Sequence, residues 1–298
     1  MRILIIGASG FLGRKLIKIL SKDAKEGYEV VGTYYSRSIF DNNFKYYYLD
    51  ALSENAVEQL ISKINPNVVI HLVANPNPDT CEADREYAYK INVKSTEIVA
   101  EKCKKRKIKL VYTSTDYVFD GTNPPYKEED EPNPLNWYGK TKLIGENIVR
   151  NLLPDNHLIV RLPLLYGYSG HETDNFIIKV INSLRSCNTF AVDDKRIRYP
   201  TLIDDVSVAI QKLIKKDCVG TYHISASEGV TKYEFALRIA KIFNLPCQYL
   251  KGEHELGLAK RPFNSKLDTA KLFKTIKVEM HNINDGLNLV KKEIEMNF

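Results

Sequence analysis

Five apolar runs recur through the first half of the chain: RILII (2–6), EVVGTYY (29–35), NVVIHLV (67–73), IKLVYTS (108–114) and HLIVRLP (157–163). Between them, near 11–22, 53–64, 79–104 and 135–152, apolar positions repeat at the spacing of a helix. Apolar strands alternating with helices of this length predict a parallel sheet covered on both faces, a doubly wound α/β fold. From about residue 168 the rhythm loosens. Helical stretches near 174–185, 203–216, 231–243 and 283–296 are interrupted by short strand candidates such as TYHIS (221–225). The expectation is a main domain over 1–167 and a smaller mixed α/β domain over 168–298, partly interleaved with the first.

Composition narrows this picture. A chain of 298 residues, 44% hydrophobic and 27% charged, has enough apolar material for a real core and is not a disordered polymer. The net charge of +6 comes from 43 basic and 37 acidic residues that are mostly interspersed. Its densest basic run, KCKKRKIK (102–109), borders a predicted strand and reads as a solvated helix end, so no nucleic-acid partner is expected. Cys81, Cys103, Cys187, Cys218 and Cys247 lack the pairing of a disulfide framework or zinc site, which fits a reducing cytoplasm. The chain enters its first strand without a signal-peptide core, and no apolar run nears the ~20 residues that span a bilayer, so neither export nor a membrane is expected. His71 sits in an apolar run and reads as a satisfied core residue. His157, His171, His223, His254 and His281 have no ligand spacing, and no metal is expected.

In RILIIGASGFLGRKL, Gly7, Gly10 and Gly13 follow a strand and open a helix, with Phe11 and Leu12 between the last two. A glycine first in the turn permits it, a second lets backbone amides approach a pyrophosphate, and a third lets helix pack on strand. The spacing is GxxGxxG. Any tight strand-to-helix turn favours glycine, but in this context dinucleotide binding by a Rossmann domain is the stronger reading. About 20 residues on, where NAD-preferring sites carry an acid, VVGTYYSRS offers Ser36 and Arg37, with no acid until Asp41. A cation there suits a 2′-phosphate, and Arg14 could add to it. NADPH is the expected cofactor, with NADH the alternative, although Arg37 reads equally as a solvated loop residue.

The stretch NWYGKTKLIGE (136–146) places Tyr138 and Lys142 one helical turn apart, on one face. A free phenol, with pKa ~10, is a poor base at neutral pH. An adjacent ammonium favours the phenolate, and a phenol so tuned can give or take a proton at a carbonyl. The same spacing also occurs in ordinary surface pairs. Here it follows TSTDYVFDG (113–121), at the end of a predicted strand, where such sheets bind ligands. Ser114 and Thr115 could hydrogen-bond a substrate carbonyl there, or simply cap the strand end. In the proline-rich loop at 120–135, Asn133 before Pro134 suggests the cap of the helix that follows.

With HLVAN (71–75), INVKST (91–96), STDYVFDG, PLNWYGKTKLIGE, NF (175–176), YHISASEGVTKYEFA (222–236) and RPFNSKLDTAKL (261–272) in this order, the chain resembles an extended short-chain dehydrogenase/reductase. More narrowly it resembles the dTDP-4-dehydrorhamnose reductase, or RmlD-like, family. The resemblance implies a catalytic triad of Thr115, Tyr138 and Lys142, with Lys142 also holding the cofactor ribose. It puts Asp50 and Ala51, ending the third strand in YYYLDA, near the adenine and Ala74 near the middle of the cofactor. Asn92 would be a structural asparagine in the sheet. Asn175, Arg198 and Arg261 fall on the substrate side, where the arginines, with Arg196, could meet a diphosphate or serve as ion-pair partners. RLPLLYG (161–167) and DDKRIRYPT (193–201) depart from the family's usual substrate-side motifs.

The implied activity is NADPH-dependent reduction of the 4-keto group of a nucleotide-linked 6-deoxysugar, with dTDP-4-dehydrorhamnose as the leading substrate. A related sugar-nucleotide epimerase or another ketoreductase is a second enzymatic alternative. The same family includes a regulatory subunit of methionine adenosyltransferase, so a cofactor-binding partner protein is the rival from another class. Analogy also implies a homodimer through the helices near 79–104 and 135–152.

Overall fold

The computed structural model describes residues 1–22, 27–36, 43–170, 175–254 and 257–296. The apolar runs and YYYLDA become β1 (Arg2–Ile6), β2 (Glu29–Tyr34), β3 (Lys45–Tyr48), β4 (Val68–His71), β5 (Lys109–Thr115) and β6 (His157–Leu162). Helices α1 (Phe11–Ser21), α2 (Glu54–Ile64), α3 (Pro78–Ala83), α4 (Arg85–Tyr89), α5 (Ser95–Arg106) and α6 (Trp137–Leu152) connect them. Beyond lie β7 (Leu165–Tyr166), α7 (Phe176–Arg185), β8 (Phe190–Val192), β9 (Ile197–Arg198), β10 (Thr201–Leu202) and α8 (Ile203–Lys215). The chain continues through β11 (Gly220–His223), β12 (Val230–Thr231), α9 (Lys232–Ile242), β13 (Leu250–Gly252), α10 (Ala270–Thr275) and α11 (Ile283–Glu295).

Seven strands form one sheet in the order β11-β6-β5-β4-β1-β2-β3, and every ladder is parallel. Every residue of β4 and β6 is buried, which is why these strands read as continuous apolar runs. On one face Leu16 and Ile17 of α1 share a core with Val206 and Ile210 of α8. On the other, Val57 of α2, Val99 of α5 and Val149 of α6 close over the sheet. Each such side chain contributes about 1.5–3 kcal/mol by leaving water.

The segment after residue 168 is divided between two cores. Its α8 and β11 complete the sheet layers, while α7, α9 and α11 pack around Ile181, Phe235 and Leu287. The ladders β8–β13 and β9–β12 flank that second core.

Three local features depart from the sequence reading. The helix expected at 79–104 is broken at Asp84, whose backbone (φ −131°, ψ 83°) is not helical and whose carboxylate accepts the Tyr87 N–H to start α4. Next comes a π-helical turn, Lys90–Lys94, which carries Asn92. Asn92 is therefore helical and not in the sheet; it is fully buried, accepts the Asn75 N–H at 2.7 Å and donates to Thr141 Oγ1 at 2.9 Å. The cap of α6 is Asn136, one turn later than Asn133, because Asn136 Oδ1 accepts the Gly139 N–H at 2.8 Å while Asn133 donates to Asp120.

Since the seven strands run the same way, their carboxyl ends share one edge. Gly7, Ser36, Asp50, Ala51, Ala74 and Thr115 each lie at or within three residues of such an end.

Candidate active site

The glycine loop is built from β1 into α1. Gly7 has φ +91°, and its N–H donates to Thr33 Oγ1 at 3.0 Å. A Cβ on Gly13 would stand 2.5 Å from Gly7 O and 2.7 Å from Ala8 Cα, so no side chain fits there. Gly10 is different. A Cβ there meets Gly7 O alone, at 3.3 Å, and the residue is the N-cap of α1 without any capping side chain. The first amides of the helix, from Phe11, Leu12 and Gly13, thus face outward at the positive end of its dipole, an arrangement suited to phosphate. Arg14 folds back on this loop through Nε to Ser9 O at 2.9 Å. Ser36 is exposed beyond β2, Asp50 accepts the Leu52 N–H, and Ala51 is buried. Arg37, Asp41 and His171 lie outside the described residues.

Two strands along the edge, β5 delivers Thr115, and α6 begins against the turn that follows. Gly139 permits this approach, because a Cβ there would lie 2.2 Å from Tyr117 O. The phenol of Tyr138 reaches the Thr115 hydroxyl, and the Tyr117 ring meets it edge-on at 6.2 Å between centroids. Thr115 donates to Asp116, whose other oxygen accepts from Ser265. Lys142 is 2% exposed, and its ammonium stands 4.2 Å from the centroid of Tyr112, a fully buried ring on β5.

The expected depression of the Tyr138 pKa by Lys142 is not what this pocket produces. Burial pushes the phenol well above its ordinary value; the Thr115 hydroxyl pulls it back, and Asp116, Cys81 and Tyr117 push it further up. Burial also brings Lys142 down to about 7, opposed by Glu146 and by Cys81. The physical reason is shared: both groups sit in a dry pocket that disfavours either charge. His71, on the neighbouring strand, is lowered to about 3 by burial and by Lys142. It is only half satisfied, with Nε2 beside Ser95 Oγ at 3.3 Å and Nδ1 without a partner among the described residues.

The substrate-side residues all have protein partners. Asn175 caps α7, accepting the Ile178 N–H at 3.0 Å and donating to Gly167 O. Arg261 pairs with Asp79, and Arg196 with Asp193. Arg198 is buried, donates to the Ile197 and Pro262 carbonyls, and lies 5.4 Å from the Tyr117 ring centroid, which joins it to the tyrosine cluster. Sequence reasoning missed Tyr112, Glu146 and Arg161. The ion pair in this group is fully buried: Arg161 donates Nε and Nη2 to the Glu146 oxygens, each at 2.9 Å. Its signal was present, in a glutamate one turn beyond Lys142 and an arginine inside an apolar strand.

Among the described residues no group of three or more His, Cys, Asp or Glu could hold a metal, and no helix is long and apolar enough to cross a membrane. All five cysteines are free thiols.

A doubly wound sheet, a glycine loop at the end of its first strand and a helix carrying Tyr-x-x-x-Lys beside its fifth define an extended short-chain dehydrogenase/reductase architecture. Residues 1–296 match the family model described as the RmlD substrate binding domain, and the chain belongs to that family. It is 38% identical over 283 residues to "Methionine adenosyltransferase 2 subunit beta" of Xenopus tropicalis, covering 92% of this chain and 82% of that protein. It is 31% identical to "Probable low-salt glycan biosynthesis reductase Agl14" of Haloferax volcanii, covering 89% of each. Among solved structures, dTDP-4-dehydrorhamnose reductase from Bacillus anthracis in complex with NADP superposes with a TM-score of 0.85 at 32% identity, covering 98% of this chain and 99% of that one.

Proposed function

We propose that this chain is a nicotinamide-dependent reductase of a nucleotide-linked 4-keto-6-deoxysugar, with dTDP-4-dehydrorhamnose to dTDP-rhamnose as the leading reaction and NADPH as the leading cofactor. The observation that carries this reading is the Thr115–Tyr138–Lys142 cluster, with Thr115 and Lys142 buried and Tyr138 half-buried, at the carboxyl edge that also holds the glycine loop. The cradle fits the cofactor: Gly10 leaves room for a pyrophosphate, Gly13 none for a side chain, and the α1 amides supply donors. Ser36, Asp50, Ala51 and Ala74 would line the rest of its path. A reduced nicotinamide, when bound, supplies the hydride.

The chain's own residues handle the proton. A phenol pushed above its ordinary pKa is protonated at pH 7, the state required of an acid that gives its proton to a developing alkoxide. Thr115 orients the carbonyl and shares a hydrogen bond with the phenol. Once the phenol has given up its proton, the Thr115 hydroxyl, turning its one proton from Asp116, and the Lys142 ammonium stabilise the phenolate. Arg198 and Arg261, beside the tyrosine cluster, would orient the diphosphate.

A second reading has one observation in its favour, the 38% identity to a methionine adenosyltransferase subunit. On it the chain binds the same dinucleotide and docks on a synthetase without turnover. The two separate in one experiment. Purified chain is mixed with NADPH and the keto sugar nucleotide and absorbance at the nicotinamide band is followed, with Tyr138→Phe alongside. Turnover that depends on Tyr138 supports the reductase; an inert protein with both ligands bound removes it, and co-purification with a methionine adenosyltransferase would then support the second reading.

A further inference from the structure

Tyr112 has no part in the proton transfer assigned to Thr115, Tyr138 and Lys142. It is fully buried on β5, two strand positions before Ser114, and its side chain reaches α6. Its hydroxyl donates to Lys142 O at 3.4 Å, and a Cβ on Gly145 would lie 2.2 Å from the Tyr112 hydroxyl oxygen. Gly145 is thus the gap in α6 through which the tyrosine reaches under Lys142. The ring face then meets the ammonium at 4.2 Å, inside the distance at which a cation is drawn to an aromatic quadrupole. The His71 ring is stacked with that of Tyr112 at 6.2 Å between centroids.

We propose that Tyr112 is a positioning residue for Lys142: its ring face holds the ammonium in a dry pocket one helical turn from Tyr138 in sequence, and Gly145 admits the ring. The inference deepens the reductase reading and rests on it for its catalytic meaning. Other groups facing the ammonium are Cys81 from α3, His71 from β4, and Glu146 from its own helix. Arg161 and Arg150 occupy the oxygens of Glu146. His71 at its lowered pKa is neutral at pH 7, and Cys81 is a protonated thiol, raised to about 11 by burial. The ring is therefore a nearby electron-rich surface that carries no titrating charge at neutral pH.

The test keeps the shape of the pocket and changes only the ring's electrostatics. Position 112 is replaced by Phe and then by mono-, di- and trifluorinated Phe, each of which weakens the quadrupole without altering packing. Lys142, assigned with Lys142→Arg, is titrated in the full chain by its 13Cε resonance. The apparent pKa should fall steadily with fluorine number, by about half a unit or more across the series, roughly a threefold loss of proton affinity. In the reductase assay the alkaline limb of the pH profile should move down in step. A flat titration across folded variants overturns the proposal. An inert wild-type chain whose Lys142 still follows the series would instead refute the reductase reading and leave Tyr112 as the lysine's support.

Discussion

Glu146→Gln should be among the most destabilising single substitutions in this chain. Glu146 and Arg161 are 0% and 1% exposed, and the carboxylate takes two bonds from Arg161 and one from Arg150. Removing the negative charge leaves a buried guanidinium with neutral acceptors alone, the new amide oxygen, the Glu128 carbonyl and His223 Nε2, and turns one former acceptor into an NH2 facing it. Breaking such a pair costs about 3–5 kcal/mol. Arg161→Met should cost less, about 1–3 kcal/mol, because Arg150 still neutralises the carboxylate. Arg150→Met, at a side chain 32% exposed, should cost under about 1 kcal/mol. Urea unfolding at pH 7, followed by circular dichroism, gives the three values. The pH dependence has a definite sign: burial pulls the Glu146 pKa up, but the Arg161 bonds outweigh it and hold the group below 4.5. Its contribution is therefore present above pH 4.5 and is lost as pH falls through the lower folded value, so the gap to Glu146→Gln should close on acidification. A Glu146→Gln variant as stable as Arg150→Met would refute the reasoning.

Tyr138→Phe should lower turnover about 10²- to 10⁴-fold with NADPH affinity unchanged, measured by steady-state kinetics and fluorescence titration. Gly13→Ala forces a methyl to 2.5 Å from Gly7 O; it should weaken NADPH binding at least about tenfold and lower the unfolding midpoint, since overpacking costs about 1–3 kcal/mol. Lys142 is lowered from 10.5 to about 7, so the unfolded chain holds the extra proton between those values and wild-type stability should rise with pH there. Lys142→Met should flatten that rise, and matching slopes in the two proteins would contradict the burial of the ammonium.

What the sequence disclosed follows from how far each signal reaches along the chain. Strand periodicity and Asn, Ser or Thr caps are local, and α2, α7, α9 and α11 begin where Ser53, Asn175, Thr231 and Asn282 offer an oxygen to a backbone amide. Asn133 misled because two asparagines three residues apart offer the same local signal. The choice fell to a long-range constraint, the fit of Gly139 against Tyr117. The π turn was illegible for the same reason, since Asn92 is fixed by partners at Asn75 and Thr141. Charge–environment balance was hidden most deeply. Tyr138 and Lys142 were correctly expected on one helical face, but burial, which moves both pKa values, belongs to the packed pocket and not to their spacing.

That distinction bears on the two functions. A dinucleotide cradle asks only for backbone: φ at Gly7, space at Gly10, contact at Gly13. A binding subunit and a reductase need it equally. Proton transfer asks for more, because a buried lysine that titrates near neutrality costs stability and helps a mere binding site in no evident way. Here that lysine is cradled by an aromatic ring, a glycine gap and a carboxylate clamped by two arginines. Such support around Lys142 is what the reductase reading asks of an ammonium one helical turn from a phenol that gives up its proton, and the Tyr138→Phe turnover measurement is what separates it from a binding role.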